Sequence, residues 1–281
     1  MVRVTQTDRR TALRTGAGLV AGGALAAGCA TTGAVAHPAP TPPGPTPLAP
    51  TPLALTPPGP TPLAPAKTPA PLAAPAPHHY PHQPAQLTHG PRTRPRVALT
   101  FHGQGDPAIA RSLLAEAEKH GARLTVLAVG TWLDAHPELA RRILDGGHDL
   151  GNHTHRHLDI NAMSETDAQA EITACADRLK RLTGSIGTWF RPSRAPRASP
   201  LVERLAARAG YPHVLSYDVD SLDFTEPGAP AVTRKILGEV RNGSVVSLHF
   251  GYPDTVAALP AVLAELDRRG LHAVTTTELL S

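Results

Sequence analysis

The chain has 281 residues with 31 prolines, 24 glycines, 4% aromatic residues, two cysteines and a net charge of +4. Residues 1–95 carry seven Lys/Arg against one Asp/Glu and residues 96–281 carry 20 against 22, so the basic excess belongs to the tail and leaves no basic domain to bind nucleic acid. Cys29 and Cys175 are too few for a disulfide framework or a cysteine-built zinc cluster.

The tail reads first as an address and then as a tether. Arg9-Arg10 with Leu13 precedes an uncharged stretch to Gly28, the pattern of a twin-arginine export signal over 1–29. The stretch is too short and too rich in Gly and Ala for a permanent transmembrane span. Leu25-Ala26-Ala27-Gly28-Cys29 resembles a lipobox with Ala26 where Leu is usual, which makes Cys29 a candidate lipid anchor; the alternative is an ordinary signal cut near Ala27. Either way the expected location is the cell envelope or the outside. Twenty-one of the prolines fall between Pro38 and Pro95, and TPPGPTPLAP occurs at both 41–50 and 56–65. Residues 30–95 therefore read as a disordered Pro/Ala/Thr-rich linker, of which the stretch from His37 to Pro95 reaches on the order of 180 Å when extended. His78, His79, His82 and His89 are expected to be solvated.

From Arg96 strand and helix patterns alternate. Strands are expected at Val97–Phe101, Leu124–Val129, His148–Asn152, Thr188–Phe190, His213–Tyr217, Ser244–Leu248 and Leu271–Thr275. Helices are expected at Pro107–His120, Pro137–Asp145, Ser164–Leu182, Pro200–Ala207, Ala231–Val240 and Leu259–Arg269. Repeated βα units imply an α/β fold with a parallel sheet covered by helices. About seven strands suit an incomplete (β/α) barrel; an open doubly wound sheet is the other candidate. The barrel is favoured because His102, His153, Arg191, Asp218 and His249 each follow a strand directly, and in a barrel those points open on one face.

His153-Thr154-His155-Arg156-His157 sets three imidazoles within five residues, and His153 and His157, one helical turn apart, can converge on a divalent ion. Asn152 and Thr154 are placed to hold that loop. Asp218, Asp220 and Asp223 can orient a histidine, bind a cation or cap a turn, and His249 is placed to act as a general acid. Gly103-x-Gly105-x-x-Ala108 mimics a dinucleotide fingerprint, but Asp106 would face the pyrophosphate. Cys175 reads as core. Trp132 and Trp189 read as core or as the wall of a sugar groove.

The order of these elements resembles one family. Leu99-Thr100-Phe101, Gly151 through His157, Phe190-Arg191-Pro192, Asp218 through Asp223 and Ser244 through His249 are similar to the motifs of the polysaccharide deacetylases of carbohydrate esterase family four, the NodB-homology domain, over essentially all of 96–281. The resemblance implies a distorted (β/α) barrel and a divalent metal, usually zinc, that serves to remove acetyl groups from peptidoglycan, chitin-like glycans or xylan. It makes His153 and His157 metal ligands, Arg191 the brace of the catalytic base, His249 the general acid and Asp223 its tuning partner. Leu248 would line the acetyl pocket. Phe224 stands where Trp is common, and Arg194 stands where Tyr is usual, its backbone N–H serving the oxyanion.

The first motif departs from the family. The family reads Thr-Phe-Asp-Asp-Gly where this chain reads Thr100-Phe101-His102-Gly103-Gln104. His102 occupies the position of the base and Gly103 that of the third ligand, so the third place falls to water, Asp106 or His102. Arg191 faces an imidazole instead of a carboxylate, which disfavours protonated His102. The expected activity is deacetylation of an acetylated envelope or environmental glycan; the alternative is a catalytically silent barrel that binds glycan.

Overall fold

The computed structural model describes Gly44 and residues 74–281. The export signal, Cys29 and the repeated Pro-rich segment lie outside these residues. Among the described residues no helix is long and apolar enough to cross a membrane.

Among the described residues eight strands and eight α-helices follow in the order β1 Gln86–Leu87, β2 Arg96–Gly103, α1 Pro107–Lys119, β3 Thr125–Ala128, α2 Gly130–Ala135, α3 Glu138–Asp145, β4 Asp149–Asn152, α4 Glu165–Thr183, α5 Pro200–Arg208, β5 Val214–Leu215, β6 Val219–Asp220, α6 Ala229–Glu239, β7 Val245–His249, α7 Pro253–Arg268, β8 His272–Ala273 and α8 Thr276–Leu280. Every strand pair is parallel, in the order β4-β3-β2-β7-β6 with β8 beside β2 and β1 beside β5. Parallel bridges from Asn152 to Phe190 and from Phe190 to Val214 carry the path on to β5. Only Ser216–Asp218 separate β5 from β6, so one chain segment joins the two ends of the path. The sheet curls into a distorted, incomplete barrel; the open doubly wound alternative is set aside.

Side chains alternate along these strands with period two. Val97, Leu99, Phe101, Val126, Ala128, Val246 and Leu248 pack outward in the main core with residues of α1, α6 and α7. Ala98, Leu127, Leu215 and Val245 form a second, inner cluster. Continuing the inner parity, Thr100 and His102 on β2 and Ser247 and His249 on β7 bring polar groups to the C-terminal end of the barrel. Local signals set the helices. Asp106 caps α1 through Ala108 N, with Pro107 in the first turn, and Ser164 caps α4 through Asp167 N. Gly184 ends α4 at φ 82°, a left-handed cap that favours glycine.

Three expectations need correction. Thr188–Phe190 runs beside β4, with Thr188 N donating to Leu150 O at 2.9 Å and Trp189 O accepting Asn152 N at 2.7 Å, but it contributes only the single bridging residue Phe190 and not a strand. Helix α7 begins at Pro253 and keeps Pro260 inside, so Leu259 is not its start; Pro253 supplies the first-turn proline. The packed domain also starts before Arg96. Leu87 is fully buried beside Leu215, Tyr80 stacks on Trp189 with centroids 5.9 Å apart, and Arg92 bonds Asp218 at 2.6 Å. The part of the expected linker from about 74 to 95 is therefore a strap fastened to the barrel.

Candidate active site

Inner parity and register build the site. His102 and His249 are Cα partners across β2 and β7, with ring centroids 4.2 Å apart. His153 follows β4, and its ring lies 4.3 Å from that of His102 and 4.8 Å from that of His157. One ring nitrogen from each of His102, His153 and His157 lies within 4.8 Å of the others. Position 103 faces the other way: a Cβ on Gly103 would meet Ala128 Cα and Val126 Cγ1 at 3.0 Å, on the outer face of the sheet. On this backbone residue 102, not 103, joins the two loop histidines.

The loop carrying His153 and His157 is held by a dense set of bonds. Asn152 Oδ1 accepts Thr154 N at 2.8 Å, and Asn152 Nδ2 donates to Ile172 O and to the Tyr211 hydroxyl. The buried Glu171 carboxylate accepts His155 N and Arg156 N at 3.1 and 2.7 Å and the Arg156 guanidinium at 2.6 Å. Thr154 and His157 adopt φ of 66° and 56°, and Arg194 and Leu222 on neighbouring loops are also left-handed at 54° and 57°. Such conformations in non-glycine residues cost on the order of 1–3 kcal/mol each and cluster at sites that need fixed geometry.

Two charged groups sit beneath the cluster. Arg191 is fully buried: its Nη2 donates to Thr100 Oγ1 at 2.8 Å and to Ser216 O at 3.1 Å, and its Nε donates to Leu215 O. Its Nη1 has no protein partner, and no carboxylate bonds the guanidinium, so burial lowers its pKa to about 10. Asp223 is equally buried. Its carboxylate accepts His249 Nδ1–H at 2.7 Å, His249 N at 2.8 Å and Thr255 Oγ1 at 2.7 Å. Burial pushes Asp223 up, yet the bonds from His249 and Thr255 outweigh it and hold the carboxyl below its usual range. Burial, followed by neighbouring imidazoles and Arg191, drives His102 and His153 well below the ordinary imidazole range; burial, Arg194 and His249 take His157 down to about 4. All three imidazoles are therefore neutral, as expected for His102, although burial contributes more than Arg191.

Neutral imidazoles are the ligand form, and the donor set passes a further test. His153 Nδ1–H donates to Arg191 O at 3.1 Å, which leaves Nε2 with the lone pair. That Nε2 is buried and has no protein partner. A divalent ion at His102, His153 and His157 would satisfy it. Asp106 does not join the cluster: its Oδ1 caps α1 through Ala108 N at 2.7 Å, and the converging ligand atoms are those of His102, His153 and His157.

The cluster opens into a cavity of about 480 Å³ whose walls include His102, His157, Arg194, Tyr217, Asp220, Phe224, Ser247, His249 and Tyr252. Phe224, 45% exposed, packs edge-on to His249 at 5.3 Å. Leu248 does not line this cavity, contrary to expectation: it lies between two inner-face residues and points into the outer core. Trp132 bonds Gly105 O at 2.9 Å and Trp189 lies in the inner cluster, so both are structural, and Cys175 is core. Gly103 ends β2 and Asp106 caps a helix, which removes the dinucleotide alternative. The three carboxylates divide: Asp218 binds Arg92 of the strap, Asp220 lines the cavity and Asp223 serves His249. Sequence reasoning missed Glu171, Tyr211, Ser247 and Tyr252. A lone glutamate in an amphipathic helix gives no signal of its own, whereas the alternation of β7 marks Ser247 as a partner of His249.

The family model for polysaccharide deacetylase matches residues 89–214. The chain is 30% identical to a peptidoglycan-N-acetylglucosamine deacetylase of Bacillus cereus over 68% of this chain and 90% of that protein. It is 27% identical to peptidoglycan-N-acetylglucosamine deacetylase PgdA of Listeria monocytogenes over 67% of this chain, but spans only 39% of that protein. Among solved structures, a family 4 carbohydrate esterase pseudoenzyme from Bacillus anthracis superposes with a TM-score of 0.67 at 21% identity, covering 71% of this chain and 70% of that one. A peptidoglycan N-acetylglucosamine deacetylase solved with a substituted N-oxidanyl-benzamide gives 0.66 at 24% identity, covering 70% and 92%.

Proposed function

Because the chain belongs to the polysaccharide deacetylase family, family 4 of the carbohydrate esterases, we propose that it is an exported, metal-dependent hydrolase that removes acetyl groups, N-acetyl in preference to O-acetyl, from peptidoglycan or a chitin-like glycan. The observation that carries this reading is the convergence of His102, His153 and His157 beside the Asp223–His249 pair on one cavity. Support for export, and for an envelope location with Cys29 as a lipid anchor, comes from the first 29 residues alone.

His102, His153 and His157 would hold the divalent ion, zinc by preference for an imidazole site. When bound, such an ion polarises a carbonyl and makes water more acidic. The rest of the chemistry belongs to side chains. His249 donates Nδ1–H to Asp223, so in the neutral ring Nε2 carries the lone pair. With His102 used as a ligand, His249 is placed first to accept the proton of the attacking water and then to return it to the departing nitrogen. The acyl carbon gains the water oxygen, the C–N bond breaks, and acetate and a free amine leave. Arg194, Phe224 and Tyr252 line the cavity; the backbone N–H of Arg194 would serve the developing oxyanion, and Phe224 and Tyr252 would flank the sugar.

The test is acetate release from N-acetylated peptidoglycan fragments and chitooligosaccharides by the zinc-loaded chain and by His249→Ala. The proposal predicts release by the parent and a loss of about 100-fold or more in the variant. The replacement of both first-motif carboxylates by His102-Gly103 favours a second reading, a glycan-binding barrel. Glycan binding without acetate release from either substrate supports that reading and overturns the first.

A further inference from the structure

The charge count at the histidine cluster points beyond deacetylation as such. The resemblance to the family puts two aspartates at the positions of His102 and Gly103; here both negative charges are absent. Around the cluster stand Arg191, buried behind it, and Arg194 on the cavity wall, against Asp220 on the wall and Asp223 bound to His249. These four charges cancel. The three candidate ligands are neutral imidazoles, and Gly103 cannot readily regain a carboxylate because its Cβ would crowd Ala128 and Val126 at 3.0 Å. The full double charge of a divalent ion at His102, His153 and His157 would thus stand uncompensated, in a place where burial makes uncompensated charge costly. Arg191 balances in that count but gives the ion no relief, since its Nη1 is buried without a protein partner and none of its bonds goes to a carboxylate.

We propose that this chain has become a carboxylate-free, three-imidazole metal site that selects zinc-like late divalent ions over magnesium and manganese and recruits a small monovalent anion as its charge compensator. The selectivity follows from the donors: imidazole suits zinc, cobalt and nickel, whereas magnesium and manganese favour carboxylate, carbonyl and water oxygens. The anion follows from the count, because one external negative charge halves the uncompensated charge and the cavity leaves the cluster accessible. The inference rests on His102 acting as a ligand, but not on the chain being an active deacetylase.

The experiment needs no turnover. The full chain is loaded with Co2+ and its visible absorption is recorded during titration with sodium azide; Zn2+, Mn2+ and Mg2+ are then tested as competitors at equal concentration. The inference predicts one Co2+ per chain, a saturable spectral change with azide, displacement by Zn2+ and none by Mn2+ or Mg2+. His102→Glu, which returns a carboxylate of similar reach, should keep Co2+ and weaken azide by about tenfold or more. An azide-insensitive spectrum, or displacement by Mn2+ or Mg2+, overturns the inference while leaving a metal-dependent hydrolase intact. Failure to bind Co2+ at all overturns both. If His102→Glu does not fold, the parent titration and competition still decide.

Discussion

Replacing Asp223 with Asn isolates what the buried carboxylate does for His249. Asp223 offers one oxygen to His249 Nδ1–H at 2.7 Å and the other to His249 N and Thr255 Oγ1 at 2.8 and 2.7 Å. Asn keeps one oxygen, which can continue to serve the backbone N–H and the threonine. Its amide NH2 must then face Nδ1, so that nitrogen becomes the acceptor and the ring proton moves to Nε2. The resting lone pair no longer faces the cavity. The change exchanges one charge-assisted bond for a neutral one, a loss of about 1–2 kcal/mol. For a domain of this size that lowers Tm by roughly 3–6 °C. Deacetylation should fall by about 10^4-fold, the cost known for the wrong tautomer in a serine-protease triad, with metal content unchanged. Nitrogen-15 NMR of the histidine rings at neutral pH reads the tautomer directly, whether or not substrate is turned over. An unchanged His249 tautomer in Asp223→Asn would refute the reasoning, as would a variant that keeps more than a tenth of the parent activity.

Glu171→Gln removes the charge that fixes His155 N, Arg156 N and the Arg156 guanidinium, so zinc affinity measured by chelator competition should drop by about 10–100-fold while the fold survives. Truncation at residue 73 should leave a stable domain, whereas truncation at residue 95 removes buried Leu87, the Tyr80 stack and several strap bonds, on the order of 5 kcal/mol; calorimetry should find Tm lower by about 10–20 °C. In the metal-free chain His102, His153 and His148 all have folded pKa values below the ordinary imidazole range. The unfolded chain therefore binds protons first as pH falls, and urea midpoints should decline below about pH 6.5 and stay level above it.

The parts of the site that follow strands directly were the legible parts. A histidine after an apolar run needs only the strand's direction to be placed, so His102, His153 and His249 emerge from pattern alone. The union of Asp223 with His249, 26 residues away, depends on a loop path that no periodicity encodes, and only the resemblance to a family supplies it. Leu248 was misplaced although its own strand held the answer, since alternation that turns Ser247 and His249 inward turns Leu248 outward. Strand β1 is hidden in the sequence because two residues within a Pro-rich segment carry no pattern; pairing with β5 makes them a strand. Helix α2 is six residues long, too short for amphipathic periodicity to register. The third ligand was open in the sequence because reach and backbone parity decide it: position 103 faces Ala128, and position 102 faces the two loop histidines.

The most direct test of the account is the metal content of the purified chain after zinc loading and desalting, compared with His102→Ala and with the double variant His153→Ala/His157→Ala. The account predicts close to one zinc per parent chain, a marked loss in His102→Ala and none retained in the double variant. A parent chain without zinc, or a His102→Ala variant that holds it as tightly as the parent, would contradict the three-imidazole centre.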